Sequence, residues 1–415
     1  MANVAPALER GLLPAQLRIL RLAADASAKH GVSLFLVGGT VRDLLLNKSP
    51  TDIDLSAGGG SSEFATALAK ELDGAIIARS QFGTSKLKVG EAVIDVATSR
   101  QESYAYPGAL PSVAPGTIEA DLARRDFTIN AMAVSLAPES WGRLLDPHGG
   151  QDDLSAGVVR VLHSQSFVDD ATRILRAVRY AQRLGFRIEA ETETLLRRDL
   201  ANMDFIGGDR IRHELERIFS EKRAVTMLRQ AQELGVLDAI YPSLGLSDAA
   251  FRALGRDPIA PESDRDPVLL SALAWRVPAS QRPGLTARLN LSAKWARVVG
   301  DTGSIRDFSD VLAGPALQPS RLYSLLRGFE VSAVRGCALS TDEPLATRRL
   351  VLYDRELRDM KPSLTGDDLI GLGVPEGPLV GTILDELLTS KLDGEPSTAE
   401  DERVYVVRRL QQGSV

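Results

Sequence analysis

Residues Phe35–Asp54 read FLVGGTVRDLLLNKSPTDID, and this segment decides the fold of the N-terminal part of the chain. Its apolar start predicts a buried strand that ends at Gly38 and Gly39, and a short helix follows. Glycines let a backbone approach a ligand closely, and free N–H groups at the start of a helix attract anions. We therefore expect a phosphate cradle at the two glycines, with Arg42 donating a charge-assisted hydrogen bond to a phosphate. An ordinary turn is the alternative interpretation.

Two aspartates end this segment, Asp52 and Asp54. Alternate residues of a strand face the same side, so two carboxylates converge and repel each other unless a cation lies between them. A third acid, Asp95, interrupts the apolar strand VIDV at 93–96, where an unpaired charge is costly. If the two strands are neighbours, the three acids form a catalytic cluster, with Asp52 and Asp54 as ligands of Mg²⁺ or, alternatively, of Mn²⁺. A solvated Asp-x-Asp turn is the other interpretation.

Strand and helix patterns alternate up to about Gly157, and helical patterns alone continue from there to the C-terminus. This distribution predicts an α+β protein, in which a mixed β-sheet with helices precedes an all-α part. The elements predicted in the first part are helices at 14–30, 41–46 and 61–72 and strands at 34–37, 53–55, 75–77, 86–89 and 93–96. The Pro- and Asp-rich stretch at 255–267 and Pro362 mark breaks within the helical part.

Composition excludes several classes of protein. With 415 residues, two to four domains are expected. The net charge of −6 gives no global support for a nucleic-acid partner, so phosphate binding requires a local basic surface. No apolar run approaches the ~18 residues that span a bilayer, and no signal peptide is recognisable, so we expect a cytoplasmic protein without a membrane partner. The single cysteine excludes a disulfide framework, and the four histidines show no metal-ligand spacing and no His-Asp pair.

The motifs, taken together, resemble a known family. Gly38-Gly39, the helix and Asp-x-Asp resemble the core of the DNA polymerase beta nucleotidyltransferase superfamily. The string VGGTVRDLLLNKSPTDIDL is similar to the class II tRNA nucleotidyltransferases, which include CCA-adding enzymes and bacterial poly(A) polymerases. Further matches follow in the family's order at Phe82-Gly83-Thr84, RRDFTINAMA (124–133), LLDPHGGQDDL (144–154) and DDATRILRAVRYAQRLGF (169–186). The resemblance is dense from about residue 34 to residue 220.

The resemblance implies an enzyme that adds C and A residues to the 3′ end of tRNA, as CCA, from CTP and ATP by a two-metal transfer. It implies a catalytic head with a mixed β-sheet, a helical neck that selects the nucleotide, a helical body and a helical tail. The tRNA would be bound at its acceptor end and, by the tail, at its elbow. The predicted bounds of these domains are 1–150, 151–225, 226–360 and 361–415.

The resemblance also implies roles for residues that bind the nucleotide. The family holds the ribose 2′-hydroxyl with the acid and the amide that correspond to Asp126 and Asn130. It selects the base with the acid and the arginine that correspond to Asp170 and Arg173. On geometry alone, this last pair lies three residues apart on one helix face, and an ordinary ion pair is the favoured interpretation. Arg124 and Arg125 are predicted to approach phosphates, with a surface salt bridge as the alternative for either.

One helix combines a basic face with an apolar one. At ~100° per residue, four of its arginines fall within an arc of roughly 80°, beside a stripe of apolar residues. This basic face would suit a nucleotide and the acceptor end of an RNA, which adds Arg176 to the predicted nucleotide-binding residues. The four arginines are Arg173, Arg176, Arg183 and Arg187.

Four functions remain open. They are a complete CCA-adding enzyme, a specialised relative that adds only CC or only A, a poly(A) polymerase, and an inactive RNA-binding module. The segment between Arg100 and Asp121 lies where the family keeps a flexible loop that helps to switch specificity from C to A, which disfavours CC addition alone. Its sequence PGALP, at residues 107–111, resembles that of relatives that include A-adding members. The clustered acids disfavour the binding module, and the sequence leaves the oligomeric state open.

Overall fold

The computed structural model describes residues 2–50, 52–59, 61–80, 83–103, 106, 108, 112–255, 264–395 and 398–411. The chain divides into two compact units. Unit 1 comprises Met1–Glu214 and Leu234–Ala239, and unit 2 comprises Leu215–Glu233 and Ile240–Val415. All strands of the described residues lie in unit 1, so the prediction of a mixed sheet followed by a helical part is confirmed. The finer division into four domains remains a prediction.

Seven of the strands in the described part of the chain form one sheet, in the order β3-β4-β5-β2-β1-β8-β9. Only β2 and β5 run parallel within it, and its other neighbouring strands are antiparallel. The strands are β1 (Leu34–Val37), β2 (Ile53–Ala57), β3 (Ala75–Arg79), β4 (Thr84–Val89), β5 (Ala92–Thr98), β6 (Arg100–Ser103), β7 (Ser112–Pro115), β8 (Ala133–Ser135), β9 (Leu144–Leu145), β10 (Val158–Val159) and β11 (Arg187–Ile188). β6 pairs with β7, and β10 pairs with β11.

The sequence pattern identified β1 to β5 but missed β8 and β9. β8 is buried at all three positions, so it shows no alternation of polar and apolar residues. β9 has only two residues. The tertiary structure nevertheless places β8 beside β1, where it covers an edge of the first strand.

The helices follow the expected positions closely in unit 1, where the helix predicted at 14–30 spans Pro14–Lys29 and that at 61–72 spans Ser61–Glu71. In chain order they are α1 (Ala5–Gly11), α2 (Pro14–Lys29), α3 (Gly39–Leu45), α4 (Ser61–Glu71), α5 (Ile118–Ala123), α6 (Gly150–Ala156), α7 (Ser166–Asp169), α8 (Thr172–Leu184), α9 (Ala190–Arg198), α10 (Gly208–Phe219), α11 (Ala224–Glu233), α12 (Val236–Ile240), α13 (Asp248–Leu254), α14 (Arg265–Ala274), α15 (Arg282–Arg288), α16 (Ala293–Asp307), α17 (Ser309–Ala313), α18 (Pro319–Leu326), α19 (Val331–Ser340), α20 (Pro344–Leu352), α21 (Gly366–Gly371), α22 (Pro378–Leu392) and α23 (Ala399–Gln411).

The described residues of unit 2 include two clusters of buried apolar side chains. One is formed by residues between Val298 and Leu392, and the other by residues between Leu364 and Val406. Glu402 of α23 is fully buried and accepts backbone hydrogen bonds from Ser363 and Leu364 at 2.8 Å. A buried carboxylate that receives such donors fixes a chain segment firmly, because leaving either side unpaired is costly. The last helix is thereby tied to the segment that precedes α21.

Two regions of the sequence prediction cannot be compared with the structure. Residues 256–263 of the predicted break at 255–267 lie outside the described residues. The same holds for Phe82 and for residues 104–105, 107 and 109–111 of the predicted loop. In the residues that are described, no helix combines the length and the apolar character needed to cross a bilayer.

Candidate active site

β2 and β5 place two of the three predicted acids side by side. The parallel register sets Asp54 directly opposite Asp95. Each acid stands between two buried apolar neighbours of its own strand, so both carboxylates leave the same face of the sheet. The expectation that the acids lie on neighbouring strands is therefore confirmed for this pair. Asp52 lies one residue before the start of β2.

The hydroxyl of Thr40 connects α3 to the acidic strand. It donates to the carbonyl oxygen of Asp52 at 3.1 Å and accepts from the backbone N–H of Asp54 at 3.4 Å. Thr40 follows directly after Gly39, so the sequence Gly-Gly-Thr fixes the distance between the glycine turn and the two aspartates. This contact explains why the two motifs belong to one site.

The electrostatics of Asp54 indicate a shortage of positive charge. Burial raises the pKa of Asp54 above its usual value of 3.8, and the charges of Asp95 and Asp52 raise it further. Arg125 and Lys86 lower the pKa, but the net shift is upward. An upward shift means that the ionised form is less stable here than in water. A bound cation would remove this penalty.

Asp95 has a cation beside it in the structure. Lys86 of β4 is its cross-strand neighbour, and the Lys86 ammonium nitrogen lies 3.0 Å from both carboxylate oxygens. It donates a hydrogen bond to Oδ2, whereas Oδ1 is buried and accepts none. That oxygen and the carboxylate of Asp54 are the hard ligands that Mg²⁺ prefers, so the donor set fits a divalent cation.

The described residues contain no group of three or more His, Cys, Asp or Glu side chains already arranged to hold a metal ion. Metal binding at Asp52 and Asp54 therefore remains a prediction. The observations that support it are the Asp95 oxygen that accepts no hydrogen bond and the upward pKa shift of Asp54.

Gly38 makes room for an arginine at the acids. Its φ of 70° lies in the left-handed region that favours glycine. A Cβ atom on Gly38 would lie 2.7 Å from Nη1 of Arg125 and 4.0 Å from Oδ2 of Asp54. Arg125 is held by Asp121, to which it donates at 2.9 Å. Of the two arginines that the sequence offered, Arg124 and Arg125, it is Arg125 that lies at the glycine turn. A phosphate cradle at Gly38 and Gly39 remains a prediction.

Arg124 points to a different set of partners. Its guanidinium donates to Asp121 and, at 3.0 Å, to Glu102, and both carboxylates are nearly inaccessible to solvent. Its carbonyl oxygen accepts a hydrogen bond from Arg173 at 2.8 Å. Arg124 thus connects β6 to α8, which agrees with the alternative that it is a salt-bridge partner. Its predicted phosphate contact stays a prediction.

A continuous polar chain runs through the residues predicted to hold the nucleotide. Arg42, which is nearly buried, donates to Oδ1 of Asn130 at 2.7 Å. Asn130 in turn donates to Oδ1 of Asp126 at 3.0 Å, and the backbone N–H of Phe127 donates to the same oxygen. The Asp126 carboxylate therefore has a fixed orientation. The structure brings Arg42, Asn130 and Asp126 together, as one site requires.

The chain continues through arginines of α8. Arg176 donates through Nε and Nη2 to Oδ2 of Asp126, and it also lies 3.6 Å from Glu214. Glu214 is buried and accepts from Arg179 as well. Burial alone would raise the pKa of Asp126, but Arg176 and the hydrogen bond from Asn130 outweigh it and hold the pKa below 3.8. Two acids from other parts of the fold thus neutralise Arg176, one of the arginines in the face of α8 that the sequence pattern showed as basic.

The predicted base-reading pair is held apart by other partners. Asp170 accepts from the backbone N–H and the hydroxyl of Thr172 and, at 2.8 Å, from Arg210. Arg173 is 5% exposed and donates to the carbonyl oxygens of Ser166 and Arg124. Both side chains are therefore oriented by the protein before any ligand binds. Whether they select a base remains a prediction.

The basic face of α8 is shorter than the sequence pattern suggested. α8 ends at Leu184, because Gly185 adopts φ of 74° and caps it in the left-handed conformation. Arg187 lies beyond this cap on β11 and is exposed, so its inclusion in the face was wrong. Helical periodicity cannot be extended past a capping glycine.

A cavity of about 420 Å³ lies between β6, α5 and the start of α8. His163 Nε2 lies 3.8 Å from Oδ2 of Asp169 at this cavity. Burial lowers the pKa of His163, although Asp169 opposes the shift. The polar residues that line the cavity include Glu102, Arg124, His163, Asp169 and Arg173.

Comparisons with known proteins agree with this arrangement. Residues 34–160 match the family described as Poly A polymerase head domain, and residues 185–246 match the family described as Probable RNA and SrmB-binding site of polymerase A. An A-adding tRNA nucleotidyltransferase from Halalkalibacterium halodurans is 34% identical over 91% of this chain and 88% of that protein. The chain belongs to the tRNA nucleotidyltransferase and poly(A) polymerase family.

Other members of the family match over similar lengths of this chain. An A-adding tRNA nucleotidyltransferase from Geobacter sulfurreducens is 34% identical over 90% of this chain, which spans only 45% of that relative. Among solved structures, the apo form II of a CCA-adding enzyme superposes with a TM-score of 0.84 at 31% identity and covers 98% of this chain and 99% of its own. The Thermotoga maritima CCA-adding enzyme complexed with tRNA superposes with a TM-score of 0.81 at 30% identity, covering 99% of each chain.

In this tRNA nucleotidyltransferase family member, Asp126→Asn should destabilise unit 1 in a pH-dependent way. The change removes the hydrogen-bonded carboxylate partner of Arg176 and leaves only Glu214, 3.6 Å away, which should cost about 3 kcal/mol at pH 7. Because the native pKa of Asp126 lies below its unfolded value, the stabilisation is complete above that value and is lost as the pH falls through the native pKa. Urea unfolding of both proteins between pH 7 and pH 3 measures the difference.

The control is Asp152→Asn, which changes an exposed carboxylate of α6. It should alter the free energy of unfolding little at either pH. A penalty for Asp126→Asn that stays constant down to pH 3 would contradict the charge-based account and indicate lost packing instead.

Proposed function

We propose that the protein extends the 3′ end of tRNA, and that it adds one A from ATP to tRNAs that end in CC. The observation that carries the proposal is the pairing of Asp54 with Asp95 on parallel strands, beside Gly38 and Arg125. Carboxylates at this density would hold the divalent cation that nucleotidyl transfer from a triphosphate to a 3′-hydroxyl requires.

Different residues of the chain would hold the metal, the phosphates and the ribose. Asp52 and Asp54 would hold Mg²⁺, with Mn²⁺ as a substitute, and the metal when bound supplies the charge that polarises the α-phosphate. Arg125 would offset charge on the phosphates that lie over Gly38 and Gly39. Asp126 and Asn130 are proposed to face the ribose. Asp126 already accepts hydrogen bonds from Phe127, Asn130 and Arg176, so a 2′-hydroxyl would share these oxygens rather than find free ones.

Two relatives support A addition as the first candidate. The two relatives described above are A-adding enzymes, and both match about nine-tenths of this chain. β6 and β7 pair on either side of residues 107–111, whose sequence PGALP resembles that of A-adding members. Complete CCA addition, with both CTP and ATP as substrates, is the second candidate, because the superposed CCA-adding enzymes cover nearly the whole chain. The tail at 361–415 is proposed to contact the tRNA elbow, and the neck and head its acceptor end.

The test uses three tRNAs, which end at the discriminator base, at C and at CC. Each is incubated with the protein and Mg²⁺ and with ATP, CTP or both, and products are resolved to single nucleotides. We expect one A on the CC-ended tRNA alone. CCA on the first tRNA establishes the second candidate, and long A tails identify a poly(A) polymerase. Incorporation on none of them would support an inactive binding module.

Removing one acid should separate chemistry from RNA binding. Asp54→Asn and Asp52→Ala should each reduce incorporation by at least about 10³-fold, since no other group supplies the same metal ligand. The affinity for tRNA, measured by filter binding, should change less than about twofold. Asp25→Ala, on the exposed face of α2, is the control for both measurements. Substantial residual incorporation by Asp54→Asn would refute the metal assignment.

The proposed base-reading pair predicts a change in selectivity. Arg173→Ala or Asp170→Ala should lower the preference for ATP over CTP, measured as a ratio of kcat/KM values, by about 10-fold or more. Arg173 and Asp170 also hold backbone and side-chain partners, so the melting temperature should be measured in parallel. An equal loss for all four nucleotides would indicate that the two residues have a purely structural role.

A further inference from the structure

The Lys86 ammonium group lies beside Asp95, where a cation would otherwise be needed to neutralise the acids. It lies on β4, in register with Asp95 on β5, and Asp95 in turn is in register with Asp54 on β2. Three adjacent strands therefore carry Lys86, Asp95 and Asp54 in one row across the sheet. The sequence analysis did not single out Lys86, because a lysine on a strand normally faces solvent.

The contact between Lys86 and Asp95 is close but not enclosed. The ammonium nitrogen lies 3.0 Å from each oxygen of the Asp95 carboxylate, yet the Lys86 side chain is 44% exposed. Fixing a half-exposed lysine in one contact costs rotamer entropy, and an exposed ion pair adds little to the free energy of unfolding. Stability alone is therefore a weak reason for this pair. The same exposure leaves the side chain room to move away from Asp95.

Only one hydrogen bond satisfies Asp95 in this arrangement. Lys86 donates to Oδ2, and although its nitrogen lies equally close to the buried Oδ1, that oxygen accepts no hydrogen bond. A single ammonium group therefore neutralises the charge of Asp95 but forms a hydrogen bond with only one of its two oxygens. A divalent cation shared with Asp54 would do both, which sets the lysine and the metal in competition for one carboxylate.

We propose that Lys86 is a positioning residue, an internal counter-charge that holds Asp95 in the metal-free protein and is displaced from it when a divalent cation binds. The proposal rests on the metal-dependent function proposed above. It implies that the protein tolerates its acidic row without metal, and that the affinity for the cation is lower than the carboxylates alone would give. Lys86 thereby sets the affinity of the site for the metal.

The chain offers a matched control on the same strand. Lys88 lies two residues further along β4 and so on the same face, but its register partner is Val93 and not an acid. Lys88→Met removes the same charge from the same strand without removing a partner of Asp95. Lys86→Arg keeps the charge at Asp95.

The experiment measures Mn²⁺ binding to the nucleotide-free protein by electron paramagnetic resonance of the free ion. Lys86→Met should bind Mn²⁺ roughly 5-fold more tightly than the wild type, because a nearby unit charge no longer opposes the cation. Lys88→Met and Lys86→Arg should stay within about twofold of the wild type. The rise in melting temperature on adding Mn²⁺ should also be larger for Lys86→Met, which links the affinity to the folded protein.

Two results would overturn the proposal. Equal or weaker Mn²⁺ binding by Lys86→Met, with wild-type binding that Asp54→Asn abolishes, would show that Lys86 does not compete, while the proposed function would stand. If the wild-type protein bound no Mn²⁺, both the proposed role of Lys86 and the proposed metal-dependent function would lose their basis. The tRNA extension assay would then show independently whether the protein extends tRNA. Should Lys86→Met not fold, Lys86→Gln replaces it with the same expected tightening.

Discussion

The parallel pairing of β2 with β5 is the constraint on which the site depends. Successive residues of a strand face opposite sides, so a slip of one residue would send Asp54 and Asp95 to different faces of the sheet. The register is secured by the buried residues between which the acids stand, Ile53 and Leu55 on β2 and Ile94 and Val96 on β5, all of which are 0–1% exposed. Burial of these four side chains therefore fixes the position of two charges that would otherwise separate.

Gathering acids in this way has an electrostatic cost, and the surrounding arginines and lysine offset part of it. Arg125 lies at the glycine turn, and Lys86 lies against Asp95. The remaining deficit is visible in the raised pKa of Asp54. A site that is incompletely neutralised by the protein itself is prepared for a ligand that brings positive charge.

The opposite balance holds around α8. There, Asp126 and Glu214 neutralise Arg176 and Arg179, and the pKa of Asp126 is held low. These contacts fix the Asp126 carboxylate and, through Asn130, connect it to Arg42. One part of unit 1 is thus electrostatically balanced, while the acidic row is left open. The net charge of −6 therefore describes neither region, because the local balance of charge differs between them.

The sequence by itself determined the elements that depend on local pattern. It identified the strand before Gly38, the acids of β2 and β5, the α+β class and the family resemblance, because apolar alternation and short motifs are properties of neighbouring residues. The tertiary structure alone decided which charge faces which. Arg42 reaches Asn130 across 88 residues, Arg176 reaches Asp126 across 50, and Arg125 rather than Arg124 lies at the acids. Such contacts depend on strand register and helix packing, and a local sequence pattern carries no information about either.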